Sequence, residues 1–313
     1  MPLGMADPRP CRRWFLVVAA VCTFACSQTM DQATTDSLIS QARKLDLDGQ
    51  TEAAITVYAR VLDSRPDSYD AHYGIARALD LAGRYEEARA HFASAIDLAP
   101  ETEREQALRM MGLAWTFARN AEEAAPYFRA VYDRRVAARN FAAASEVANE
   151  LGRVHLELGV LDLAEVWYRT GHETAGREAG RQAWRVDLAG MRWAHAQARI
   201  AARRGASADA RRQTAVVKQL LDNGGNEDQR VQYEYLRGYV DFYLKDVPAA
   251  VSALEQADQA DPFVLVLLGQ AHDDLGNADR AAAYYRQVLQ STSHAVNNAI
   301  ARPIARERLS PRR

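Results

Sequence analysis

Seven histidines are the first candidates for chemistry: His72, His91, His155, His172, His195, His272 and His294. A metal site built on one helix needs two imidazoles one turn apart. No two of these histidines stand four residues apart. His172-Glu173 opens like a zinc-protease signature, but Gly176 occupies the place of the second imidazole. Asp46-Leu47-Asp48-Gly49 starts like a calcium loop without the ligands that would complete it. Asp222-Asn223-Gly224-Gly225-Asn226 lacks the closing glutamate. The chain contains no phosphate-cradling Gly-Lys-Ser/Thr loop, no G-x-G-x-x-G and no G-x-S-x-G. The carboxylate pairs Glu86-Glu87 and Glu122-Glu123 fall where helices would begin. There they complement the positive end of the helix dipole, which accounts for them without catalysis. Cys11, Cys22 and Cys26 lie within the first 26 residues, so the rest of the chain has no thiol for a disulfide or a cysteine-based zinc site. The expectation is a protein without catalytic residues, metal or cofactor.

The composition says which elements must carry such residues. Apolar residues make up 48% of 313, charged residues 26%, and the net charge is −2, with no global signature of nucleic-acid binding. Seventeen glycines and ten prolines are few, and alanine comes in runs such as Phe141-Ala142-Ala143-Ala144. Alanine loses no side-chain entropy in a helix, so an all-α chain is expected.

The N-terminus reads as an address. Arg12 and Arg13 precede an almost entirely apolar run from Trp14 to Ala25. As a helix this run spans about 18 Å, short of the roughly 30 Å hydrocarbon core, as in a secretory signal. Thr23-Phe24-Ala25-Cys26 resembles the bacterial lipobox, in which a small residue precedes the cysteine that is lipidated. Thr23 stands where an aliphatic residue is usual, and plain signal cleavage is the alternative. The resemblance implies removal of residues 1–25, lipidation of Cys26 and a tether over 26–34. Ser27 resembles the outer-membrane sorting pattern, which implies a cell-envelope protein on the periplasmic face of the outer membrane.

Beyond residue 34 the chain repeats. From Tyr69 to Thr102 stand Ile75-Ala76, Leu79, Gly83, Tyr85, Ala88, Phe92, Ala95 and Pro100. Small residues at Ala76, Ala88 and Ala95 let two helices cross closely, Gly83 suits the tight turn, and Pro100 ends the second helix. The pattern recurs around Ala54, Ala88, Ala124, Ala164, Ala210, Ala250 and Ala281, at spacings of 34, 36, 40, 46, 40 and 31 residues. It resembles the tetratricopeptide repeat, closely at the ends and loosely in the middle, where longer helices such as Gly180 to Arg204 are expected. The resemblance implies a right-handed α-solenoid of about seven helical hairpins over 35–292, since one repeat cannot bury its own apolar face. In the tail, 293–313, Val296, Ile300 and Ile304 share one face, and Asn298, Arg302 and Arg306 the opposite one. That pattern predicts a C-terminal capping helix.

In such solenoids the first helix of each hairpin lines a concave groove. The resemblance places Arg43, Arg77, Arg153 and Arg199 at one inward position, with Arg109 one turn away and Asn149 beside Arg153. A row of guanidiniums implies a groove for an acidic or C-terminal peptide segment of a partner protein. Their alternative is pairing with the groove acids Asp46, Asp70, Asp80, Glu146 and Glu157. Tyr235, Tyr239, Phe242 and Tyr243 map to the groove face of the sixth repeat, as an aromatic contact for a partner or for stacking on a glycan, with local packing against the fifth and seventh repeats as the alternative.

Overall fold

The computed structural model describes residues 31–310, and the signal segment and Cys26 lie outside them. The described residues form fifteen α-helices and no strand. Fourteen pair into seven hairpins: α1 (Gln32–Leu47) with α2 (Thr51–Ser64), α3 (Tyr69–Ala82) with α4 (Tyr85–Leu98), α5 (Glu101–Phe117) with α6 (Ala121–Ala137), α7 (Phe141–Glu157) with α8 (Leu161–Gly176), α9 (Ala183–Arg203) with α10 (Ser207–Asp222), α11 (Arg230–Tyr243) with α12 (Val247–Leu254), and α13 (Pro262–Asp274) with α14 (Ala278–Gln290). The last is α15 (Val296–Leu309). None of the described helices is long and apolar enough to cross a membrane.

The stack begins earlier than the repeat pattern predicts. Asp31 caps α1 by accepting the Thr34 amide at 2.8 Å, so residues 32–34 form its first turn and not a tether. The stretched middle repeats do have longer helices, up to 21 residues in α9.

Four of the seven hairpins close on one recurrent contact, which also recurs once between hairpins. A glycine in the first helix faces a ring or branched side chain from the second: Gly74 with Tyr58 of the preceding hairpin, and Gly112 with Phe128, Gly152 with Tyr168, Gly238 with Leu254 and Gly269 with Tyr285 within their own. A Cβ on Gly112 would come within 2.8 Å of the Phe128 ring, closer than packed carbons tolerate. Gly83 takes a φ of +86° between α3 and α4, and Arg119 holds the same left-handed turn at +58° between α5 and α6. Ala99 is extended before Pro100, which ends α4.

First helices of neighbouring hairpins touch one another, α1 with α3, α3 with α5, α9 with α11 and α11 with α13, while no two second helices pack comparably among the described residues. The first helices therefore lie on the inside of the curve. Here α15 departs from the expected cap. It packs on α13 and α14, and also crosses the concave side to reach α5 and α7. Val296 and Ala299 enter the core formed by Phe92, Met110, Phe117 and Leu151, while Ile300, Ala301 and Ala305 join Phe263, Leu267 and Tyr285. Its polar face is buried as well, contrary to the pattern of a solvated face. The Arg302 guanidinium donates to the carbonyls of Leu81 at 2.8 Å, Leu289 at 2.9 Å and Ser291 at 3.0 Å. Arg306 also donates to Leu81 O. These are carbonyls that helix ends leave open, and cations are favoured there. Just before α15, His294 Nε2 meets Asp80 Oδ2 at 2.8 Å, with both side chains inaccessible to solvent.

Candidate binding pocket on the concave side

Because α15 fills the concave side next to α3, α5 and α13, the open space left there lies further along the stack. A cavity of about 370 Å³ is lined by Arg109 from α5, Asn149 and Arg153 from α7, Tyr168 from α8, His195 and Arg199 from α9, and Tyr235 from α11. Met191, Val217 and Val296 supply apolar wall, Val296 from the start of α15. Four consecutive first helices converge because the small residues of each hairpin hold them close.

Charge pairs divide the cavity. Arg109 grips Glu150 with both forks, at 2.7 Å and 2.6 Å. Deeper in, Glu157 lies 3.6 Å from Arg199 and 3.4 Å from Arg203 and accepts from Tyr239 at 3.2 Å. Arg199 donates to the Tyr168 hydroxyl at 2.7 Å. Arg153 rests on the Phe263 face, 4.8 Å from its centre, and reaches the Tyr235 hydroxyl only at 3.4 Å. The His195 ring stacks on Tyr235 at 5.6 Å. Burial, helped by the charges of Arg199 and Arg153, holds His195 well below the ordinary imidazole pKa, so it is neutral. Burial pushes the Glu157 carboxyl up, against the pull of the guanidiniums around it.

Of the residues singled out by the sequence, Arg109, Asn149, Arg153, Arg199 and Tyr235 come together at this cavity. Arg43 is outside it, on the surface in a pair with Asp70. Arg77 stands near Tyr73, nearer the N-terminal end of the stack. The expected continuous row of guanidiniums is interrupted, because α15 occupies the concave side between the ends of the stack. The pairing alternative holds for Arg43 with Asp70 and Arg199 with Glu157, whereas Asp80 is taken by His294. In the sixth repeat the packing alternative describes most of the cluster: Tyr239 and Phe242 are 0% and 8% exposed and pack with Phe263 and Tyr285, with Tyr243 against the same core. Their ring faces are covered by protein, and only Tyr235 reaches the cavity.

His195, Tyr168 and Arg203 were not foreseen as site residues. His195 precedes Arg199 by four residues on α9, a spacing that puts both on one face and was legible. Tyr168 and Arg203 gave no such signal, since their place depends on how α8 and α9 stack. Among the described residues, no group of three or more His, Cys, Asp or Glu is placed to hold a metal ion.

The tetratricopeptide repeat family model matches residues 41–102 and 235–296. A tetratricopeptide repeat protein from Parabacteroides merdae is similar in structure, with a TM-score of 0.51 and 14% identity over 81% of this chain and 91% of that one. Lower scores are found with pilF of Pseudomonas aeruginosa, 0.44 at 18% identity over 72% and 90% of the two chains, and with a Rap protein complexed with competence and sporulation factor, 0.49 at 14% over 83% and 75%. No curated protein sequence matches the chain. The molecule is thus an α-solenoid whose two ends match the tetratricopeptide repeat model.

Proposed function

We propose that this protein is a non-catalytic scaffold of the bacterial cell envelope. In this reading Cys26 carries a lipid that holds it at the periplasmic face of the outer membrane, and the concave side recruits a partner protein or peptide. The observation that carries the reading is the cavity shared by α5, α7, α9 and α11, lined by Arg109, Asn149, Arg153, His195 and Arg199. Tetratricopeptide solenoids are generally interaction modules, and the lipobox-like Thr23 to Cys26 supports the envelope setting. The glycan-binding alternative loses its basis with the burial of Tyr239 and Phe242.

A photo-crosslinking amino acid at Glu146, on the cavity wall, tests the recruitment. In intact cells a discrete protein adduct is expected, absent when the same group replaces the exposed Arg60. Adducts no different between the two positions would remove the concave side as the recruiting surface. Metabolic labelling with a fatty-acid analogue tests the anchor, with loss of label expected in Cys26→Ala.

A further inference from the structure

The floor of the cavity holds more positive charge than the surrounding protein neutralises. Behind the lining, Arg199 and Arg203 share one carboxylate, Glu157, while Arg153 on the cavity wall has no carboxylate within ion-pair distance among the described residues. Other nearby acids are engaged elsewhere or lie at the rim: Glu150 holds Arg109, Asp261 accepts the Phe263 amide and Asn297, and the exposed Glu146 lies 3.9 Å from Arg192. Arg199 is 4% exposed, yet its Nε has no hydrogen-bond partner and its Nη1 meets Glu157 only as an ion pair at 3.6 Å. Arg153 Nε and His195 Nε2 are likewise buried and unpartnered. Buried charges are ordinarily paired, because a guanidinium taken out of water loses its hydration without replacement. Arg153, His195 and Arg199 all line a cavity of about 370 Å³, at the lower end of the range for small-molecule sites.

The walls restrict what can enter. Met191, Val217 and the Tyr168 and Tyr235 rings are apolar surface beside the guanidiniums, and Val296 closes one end. With α15 across the concave side, an extended strand cannot thread past that end, but a compact molecule or a chain terminus fits.

We propose that this cavity is a binding site for one oxyanion, a carboxylate or phosphate group seated between Arg153 and Arg199. The group arrives either on a free small molecule or as the terminal carboxylate of a peptide. Two guanidiniums present parallel N–H donors that match either group. Asn149 lies at the wall to hydrogen-bond the remainder of the ligand. The inference deepens the concave-side reading above by naming the chemistry of its deepest subsite.

Calorimetric titration of the full-length chain in detergent tests it, with succinate, inorganic phosphate, N-acetyl-Ala-Ala-Leu and the amide of that peptide, each against chloride at matched ionic strength. One saturable site is expected for at least one oxyanion probe. Arg153→Gln should weaken it tenfold or more, while Arg60→Gln should leave it unchanged. The charge reversal Arg192→Glu, at an exposed position on the cavity rim, should weaken it too and guards against a folding defect in Arg153→Gln. Preference for the free-acid peptide over its amide and over succinate identifies a chain terminus, and the reverse preference a small molecule. Absence of binding by every probe, or binding unaffected by both Arg153→Gln and Arg192→Glu, overturns the proposal. No partner protein enters this titration, so its outcome is independent of the crosslinking result.

Discussion

Arg139, between α6 and α7, has a φ of +57°, a left-handed turn that an L side chain adopts only at a cost. It is exposed. Arg139→Gly should relieve the strain and, after the extra unfolded-state entropy of glycine, raise stability by about 0.5 kcal/mol, read from urea unfolding. Arg119 has the same backbone but its guanidinium pairs with Glu307 of α15 at 3.0 Å, so Arg119→Gly should gain less. The Asp80–His294 contact acts with the opposite sign. His294→Ala leaves a fully buried carboxyl without its partner and opens space beside Phe92 and Phe117, and should cost about 2–3 kcal/mol. His294→Gln keeps a donor and should recover part of that loss in the same unfolding experiment.

The hairpin is the unit in which small residues act. Gly112→Ala pushes a methyl group into the Phe128 ring and should destabilise by about 1–3 kcal/mol, since neither helix can retreat without disturbing its neighbour. The element with the widest reach is α15. Ending the chain after Thr292 removes Val296, Ala299, Ile300 and Ala305 from two separate cores at once. The truncated protein should unfold at lower urea concentration and bind a hydrophobic dye that the full chain excludes. A solenoid that keeps the stability of the full chain after this cut would show that α15 adds nothing to the stack.

Across the whole molecule, five histidines are held neutral. Burial lowers the pKa of His91, His155, His195, His272 and His294. Near pH 6.5 and below, the unfolded chain takes up protons that the folded chain refuses, so stability falls as the pH drops from about 7.5 towards each lowered folded value. Burial raises the pKa of Asp46, Asp241 and Glu157, and these groups oppose the trend where their carboxyls take up protons in the folded chain. His155 is clear of them, beside Arg129. The thermal midpoint of His155→Gln should therefore fall less than that of the natural protein between pH 7.5 and 5.5.

The helical hairpins, their number and the crossing alanines were determined by the sequence alone, because contacts within a hairpin join residues close in the chain. Ala88, Gly83 and Pro100 each announce their role by type and spacing. The same locality made the inward positions of Arg153 and Arg199 legible. Tertiary structure decided what local patterning does not encode. The apolar stripe of Val296, Ile300 and Ile304 reads the same whether it caps the last hairpin or crosses the concave side to α5 and α7. What decides is a set of partners some two hundred residues away: Leu81 O for Arg302, and Asp80 for His294. Likewise, an arginine facing inward is free or neutralised according to which acid the stacking brings beside it, and for Arg153 the curvature brings aromatic rings instead.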